Sequence, residues 1–200
     1  IIIRNNTWIG EDVYMTTASI ADLAVLGIAS EGPIEPDRIA AIAKALVPEH
    51  WQPTASVIAA VIERQLAEGG LRRTGNHIAD EHVTATAAGV DRIRALILSR
   101  PEDLAPSALP AAEAIQFCFL DTMDPETARN VLARFQERVK RRLTSHQKRN
   151  AMCPHSGRYM SFWRDMEQHR LQSMVQFLTG VSDETGAAGR DGVNVTEISR

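Results

Sequence analysis

The order of apolar periods between residues 18 and 100 constrains the fold more than any other feature of this chain. Three segments carry apolar residues at steps of three and four, which is the spacing of one face of an α-helix. The pair Gly69-Gly70 ends the third segment, and a short basic stretch, a polar turn and a β-favouring stretch follow. A fourth helical period completes the segment. The sequence therefore predicts three helices, a two-stranded hairpin and another helix.

Local signals give the bounds of these elements. Ser19 is a candidate N-cap of the first helix. Gly32-Pro33 ends that helix, because proline lacks an N–H and disfavours helical geometry just before it. The other boundaries are Pro36-Asp37 and Pro48 for the second helix, Pro53-Thr54 and Gly69-Gly70 for the third, residues 71–74 and 82–86 for the strands, and Gly75-Asn76 for the turn.

Helix, helix, helix, two-stranded wing and helix is the order of a winged helix-turn-helix domain. Its third helix usually enters the major groove of DNA, and its wing touches the backbone or the minor groove. We therefore predict a mainly α fold with a small β-wing over residues 16–100. The candidate DNA contacts lie on the helices, at the start of the third helix and on the wing: Lys44, Gln52, Thr54, Ser56, Arg64, Arg72, Arg73, Asn76 and His77.

The rest of the chain predicts a helical dimerisation or effector domain over residues 101–181. A Pro-rich stretch, residues 101–110, connects it to the winged helix. Asp124-Pro125 is a strong start signal for a long amphipathic helix, and a last helix is predicted over residues 158–178. Residues 182–200 are polar and Gly-rich, which predicts a disordered tail. The candidate effector or dimer residues are Phe135, Met160, Trp163, Met166, Met174 and Phe177.

Two surfaces of these helices have alternative interpretations. The Met-rich face of the last helix is interpreted as dimer or domain core in preference to a pocket for a small aromatic or lipophilic effector. The long helix carries a basic face that includes Arg134, Lys140 and Arg141. That face is interpreted as solvated in preference to phosphate-contacting.

Four stretches resemble the PadR-like winged-helix transcription regulators. Residues 23–33 (LAVLGIASEGP) are similar to their opening helix, residues 62–71 (IERQLAEGGL) to the end of their recognition helix, and residues 82–89 (HVTATAAG) to their last wing strand. Residues 117–132 (FCFLDTMDPETARNVL) resemble the helical C-terminal domain of the subgroup related to virulence-gene activators. The resemblance implies a homodimeric DNA-binding regulator, a repressor on a pseudo-palindromic double-stranded operator.

Composition limits the other function classes. With 22 Lys and Arg against 25 Asp and Glu the chain as a whole is not basic, so DNA binding requires a local basic surface. Apolar runs stay below the ~18 residues of a membrane span, and two distant cysteines, Cys118 and Cys153, fit a cytoplasmic protein. Catalytic motifs are not recognisable, and Cys153, His155 and His146 are too few for structural zinc. We therefore expect neither an enzyme nor a metal or cofactor.

Two alternatives remain open. The first is a winged helix that contacts proteins without sequence-specific DNA binding. The near-neutral charge supports it, and so do residues that differ from the family's usual ones, with Glu35-Pro36-Asp37 in place of Gly-Tyr and Ala59 or Ala60 in place of Tyr. The second is a fragment of a hexapeptide acyltransferase. It rests only on residues 1–14 (IIIRNNTWIGEDVY), and one coil of a β-helix cannot bury its face alone. The role of the extension, residues 1–15, is left open.

Overall fold

A computed structural model describes residues 15–74, 82–101, 104–152 and 157–191. The chain divides into two compact units, of which the first extends to Met123 and the second begins at Asp124. Several sequence predictions fall outside the described residues: the extension 1–14, the wing candidates Asn76 and His77, the zinc candidates Cys153 and His155, and the tail 192–200.

The first unit has the predicted order of elements. It is mainly helical with a small two-stranded sheet, which confirms the sequence prediction of the fold class at this level. Short 3-10 turns occupy Glu49–Trp51 and Leu120–Thr122. The elements are α1 (Thr17–Ser30), α2 (Pro36–Leu46), α3 (Ala55–Ala67), β1 (Leu71–Thr74), β2 (His82–Ala85), α4 (Ala87–Leu98) and α5 (Leu109–Cys118).

Helix α1 is the centre of the first unit. Leu23, Val25 and Leu26 are completely buried, and α1 packs against α2, α3, α4, α5 and β2. The prediction that Ser19 caps this helix is wrong. Thr16 is the N-cap, and Ser19 sits at the third helical position of a capping box, where each residue's side chain bonds the other's backbone N–H at 3.2 Å. Three of the four residues 16–19 carry hydroxyls, so the sequence alone did not identify which of them is the cap.

The wing is an antiparallel pair that a third segment extends. Leu71 lies opposite Ala85 and Thr74 opposite His82. Ile34, just before α2, forms an isolated bridge with Val83 through hydrogen bonds of 2.8 and 3.0 Å. A single residue of extended backbone has no periodicity, so the sequence did not indicate this bridge. It fixes the turn between α1 and α2 to the wing.

Helix α5 belongs to the first unit, although the sequence prediction placed residues 101–123 in the C-terminal domain. Gln116 is 1% exposed, and its Nε2 donates to the carbonyl oxygens of Leu96, Ile97 and Ser99 at 3.0, 3.2 and 3.1 Å. These carbonyls lie at the end of α4, where a helix has no internal donors for them. The ring of Phe119 also packs directly on Gly27 of α1. The Pro-rich stretch is therefore a connection within one unit.

The second unit contains two long helices, α6 (Pro125–Ala151) and α7 (Arg158–Asp191). Asp124 caps α6 by accepting a 2.9 Å hydrogen bond from Thr127 N, and hydrogen bonds from Thr127 hold the pKa of this carboxyl below its usual value. The two helices bury Val131, Leu132, Phe135, Val139, Leu171 and Leu178.

Helix α7 continues to Asp191, beyond the predicted end at residue 178 and into the segment predicted as a disordered tail. Inside the helix the Thr185 hydroxyl donates to the carbonyl oxygen of Val181 at 3.0 Å, so this polar residue is satisfied there. Within the described residues, no helix is both long enough and apolar enough to span a bilayer.

Candidate nucleic-acid interface

The start of α3 brings three of the predicted contact residues together. Thr54 is the N-cap, with its side-chain oxygen accepting from Val57 N at 3.4 Å, and its hydroxyl lies 2.9 Å from the Ser56 hydroxyl. Gln52, Thr54 and Ser56 are all exposed. The N-terminal turn of a helix carries partial positive charge and unpaired N–H groups, which suit a phosphate. This end of α3 can therefore hold an anionic oxygen.

The exposed face of α3 is small and carries little charge. Ile58, Val61, Ile62 and Gln65 are buried. On the outer side Ala59, Ala60 and Glu63 are exposed, and Val57 is 46% exposed. Small side chains allow the helix backbone to come close to a groove floor, and alanine suits the methyl group of thymine. Arg64 is the basic side chain on this side of α3, and it is paired with a carboxylate of α1. We therefore expect most phosphate contacts to come from the start of α3 and from the wing.

The wing strand β1 carries two exposed arginines, of which Arg73 reaches α3. Arg72 and Arg73 are neighbours on β1 and therefore point to opposite faces of the strand. Arg73 forms an ion pair with Glu63 of α3, with Nη2 2.8 Å from Oε1. This pair fixes the position of β1 relative to the outer face of α3. It also means that the charge of Arg73 is shared with a carboxylate in the isolated chain.

Arg64 has a partly exposed side chain that pairs with a buried residue of the same unit. Its Nη2 donates to Asp22, a buried carboxylate on α1, and the pair joins α3 to α1. An unpaired buried carboxylate is costly, so the guanidinium stabilises the helix packing. Arg64 therefore has a structural role, and its contact with DNA stays a prediction. The sequence contained one signal for it, since Asp22 is the only charged residue of α1.

Lys44 completes the candidate set among the described residues. It is exposed in the last turn of α2, a helix that packs against α3. The basic groups of this unit are few, because residues 15–123 hold eight Lys and Arg against fourteen Asp and Glu. An anion-binding surface on this unit must therefore be local, because the unit as a whole is acidic.

The candidate effector or dimer residues separate into two groups. Phe135 is buried between α6 and α7, with the guanidinium of Arg138 5.0 Å from its ring centroid, so it is part of the helix-pair core and does not line a surface. The other five lie on α7 and are exposed: Met160, Trp163, Met166, Met174 and Phe177. They form an exposed apolar face on α7.

Comparisons with known proteins give matches only among solved structures. No protein-family model matches the chain, and no curated protein matches it. Bacillus subtilis PadR in complex with operator DNA is similar at 17% identity and a TM-score of 0.37, over 83% of this chain and 99% of that one. The same protein in complex with p-coumaric acid has 14% identity and a TM-score of 0.39, over 86% and 98%.

A further similar structure is the PadR-like transcriptional regulator BC1756 from Bacillus cereus. It has 15% identity and a TM-score of 0.36, over 84% of this chain and 99% of that one. The similar structures named here are thus PadR-family transcription regulators. TM-scores below 0.5 do not establish a shared fold.

Proposed function

We propose that this chain is a DNA-binding transcription regulator of PadR type that acts as a homodimeric repressor. The observation that carries the proposal is the surface formed by the start of α3 and the wing. There a capped helix N-terminus with two exposed hydroxyls lies on the same unit as a two-stranded wing with two exposed arginines. Helix in the groove and wing on the backbone is how a winged helix docks on DNA.

In this proposal the two parts of the chain have separate tasks. The winged helix, residues 16–100, reads the operator, with Thr54, Ser56 and Gln52 at phosphates or base edges and Arg72 on the backbone. The C-terminal helices, of the virulence-activator type, bring two chains together. Two-fold symmetry then places the two α3 helices about one DNA turn apart, ~34 Å. A small lipophilic effector on the C-terminal helices would alter that spacing and lower operator affinity.

A second function has one observation in its favour. The acidic balance of residues 15–123 opposes binding to a polyanion and suits a winged helix that contacts proteins. Salt dependence separates the two functions, because phosphate contacts release counterions and protein contacts of this kind do not.

The proposal predicts tight, salt-sensitive binding to the chain's own upstream intergenic DNA. The measurement is a fluorescence-anisotropy titration of the full chain with that duplex and with a scrambled duplex, at two salt concentrations. We expect the native duplex to be bound at least about 10³-fold more tightly than the scrambled one. Equal, weak binding to both duplexes would reject the sequence-specific regulator and favour the protein-contact function.

Replacing Arg72 with glutamine is expected to weaken binding to all duplexes by a similar factor. The loss of one phosphate contact should reduce the slope of log K against log salt by about 0.9. Arg94→Gln is the matched control, because Arg94 is also an exposed arginine but lies on α4, outside the proposed surface. An unchanged slope in Arg72→Gln, or the same change in both variants, would remove the wing from the interface.

A further inference from the structure

An exposed apolar stripe runs along α7. Tyr159 is 83% exposed, Trp163 67% and Phe177 54%, and Met166 and Met174 are 50% and 42% exposed. With the half-buried Val181 and with Arg170 at the centre, these residues form what we name the α7 stripe. Single exposed apolar residues need no explanation, but a continuous row of large ones marks an interaction surface.

The stripe is separate from the face of α7 that packs on α6. Leu171 and Leu178, each one residue after a member of the stripe, are 4% exposed and lie in the α6–α7 core. One residue along a helix is a rotation of about 100°. Helix α6 therefore covers one side of α7, and the stripe lies about 100° around the helix from that side.

The spacing of the stripe is symmetric about Arg170. Trp163 and Phe177 lie seven residues before and after it, and Met166 and Met174 lie four before and after. Tyr159 and Val181 lie eleven residues away on either side. Steps of three and four residues keep all of them on one helix face. Because the spacing is the same on both sides of Arg170, two copies of the stripe that run antiparallel bring apolar residues opposite apolar residues along their whole length.

We propose that the α7 stripe packs antiparallel against the α7 stripe of a second copy of this chain, with the two-fold axis at Arg170. This inference rests on the homodimer proposed above and gives its surface and register. In that register Met166 meets Met174 of the partner subunit, and Trp163 meets Phe177 of the partner subunit. An isologous pairing of this kind closes on itself and yields a dimer.

Charge favours the antiparallel direction over the parallel one. Near its start α7 has the exposed Arg158, and near its end the exposed Asp183 and Glu184. In both directions Arg170 meets its own copy, so the ends of the helix decide. There an antiparallel pair places Arg158 near Asp183 of the partner subunit, whereas an in-register parallel pair places like charges together.

The centre of the stripe is polar but neutralised. Arg170 donates twice to Glu167, with Nε–Oε2 and Nη2–Oε1 distances of 2.7 Å. The hydrogen bond from Arg170 holds the pKa of Glu167 below its usual value, so both groups stay ionised and paired. A single polar layer in an apolar helix interface penalises shifted registers, because a shift leaves the charged groups facing apolar side chains.

Cysteine crosslinking tests the direction and the register together. The background is the full chain with Cys118→Ser and Cys153→Ser. We expect Arg170→Cys to form a disulfide with its own copy, and a mixture of Met166→Cys and Met174→Cys chains to form mixed dimers. Neither of the last two should crosslink with itself, because the register offsets identical residues by eight positions, about 12 Å along the axis. That exceeds the reach of a disulfide.

Three further measurements complete the test. A mixture of Trp163→Cys and Phe177→Cys chains should also form mixed dimers, and in these chains the Arg170–Glu167 pair is intact. Gln176→Cys is the control, because Gln176 is exposed but lies off the stripe and should not crosslink. Self-crosslinking of both Met166→Cys and Met174→Cys would establish a parallel pair and overturn the proposal. Sedimentation of the unmodified chain distinguishes a failure of the proposed homodimer from a failure of the proposed surface. A monomer would reject the homodimer itself, whereas a dimer without the mixed crosslinks would reject only this surface.

Discussion

Gly89→Ala is expected to destabilise the first unit by about 2 kcal/mol or more, since overpacking of a rigid site costs about 1–3 kcal/mol and sometimes more. A Cβ on Gly89 would lie far inside the contact distance of the Gly70 carbonyl oxygen and 3.1 Å from the Gly70 carbonyl carbon. The obstacle is backbone, so a rotamer change cannot relieve it. Alanine's higher helix propensity, up to about 1 kcal/mol, offsets only part of the loss.

The Gly70 backbone has little freedom to move away. Its carbonyl oxygen accepts hydrogen bonds from the backbone N–H and hydroxyl of Thr86, at 3.0 and 3.3 Å. The same hydroxyl lies 2.6 Å from the Gly69 carbonyl oxygen and accepts from Gly89 N at 3.1 Å, as the N-cap of α4. Displacement of Gly70 would therefore disturb the end of α3, the start of the wing and the start of α4 together.

Thermal unfolding followed by circular dichroism measures the effect. For a unit of about 100 residues, 2 kcal/mol corresponds to a fall in Tm of about 10 °C. Gly180→Ala is the control, because a Cβ there meets no atom within 4 Å and α7 should gain helix propensity. A Gly89→Ala chain that melts at or above the wild-type temperature would contradict the close approach of α4 to Gly70.

Gln116→Glu is expected to cost about 3 kcal/mol or more at neutral pH, in the range for an uncompensated buried charge. The change is nearly isosteric, but it replaces the amide nitrogen that donates to three carbonyl oxygens at the end of α4 by an acceptor. The side chain is 1% exposed, so water cannot compensate for the lost donors. Gln116→Met, which loses the donors without adding charge, should cost less, about 1–3 kcal/mol.

The pH dependence distinguishes the two variants. Burial among carbonyl oxygens raises the folded-state pKa of the carboxyl introduced by Gln116→Glu above its unfolded value of about 4.3. Below pH ~4 the group is neutral in both states, and its excess penalty over Gln116→Met is smallest. As pH rises the unfolded state ionises first, so stability falls by about 1.4 kcal/mol per pH unit until the folded-state pKa is reached. Urea unfolding at pH 4, 5.5 and 7 checks this, and parallel curves for the two variants would disprove it.

The sequence predicted those features of the fold that arise from local patterns. Periodicity located α1 to α4, because each helix has apolar residues on the buried side, and Gly69, with φ of +77°, ends α3 as predicted. The Asp124-Pro125 signal located the start of α6 to the residue. What local patterns could not provide is pairing at a distance. Asp22 with Arg64 and Gln116 with Leu96 are contacts that only the folded chain defines.

In the candidate site, too, local patterns predicted some features, whereas contacts between distant residues required the structure. The capped start of α3 follows from Thr54 and its neighbours, and the arginines of β1 follow from a strand of four residues. The engagement of Arg64 and Arg73 with carboxylates could not be predicted, because the partners lie on other elements. The exposure of the α7 stripe likewise required the structure, since periodicity alone does not tell a face on α6 from a face on a second copy.

The ion pair between Arg73 and Glu63 has a consequence for search kinetics in the proposed DNA complex. A phosphate that binds Arg73 must first displace the exposed carboxylate of Glu63. Breaking this exposed ion pair costs up to about 1 kcal/mol of free energy. This cost applies to every duplex, so it lowers non-specific affinity by up to about fivefold. A genome offers about 10⁶ or more non-cognate sites, which retain a regulator by mass action. Weaker retention shortens each non-cognate encounter, whereas the preference for the operator is unchanged because the same cost applies there.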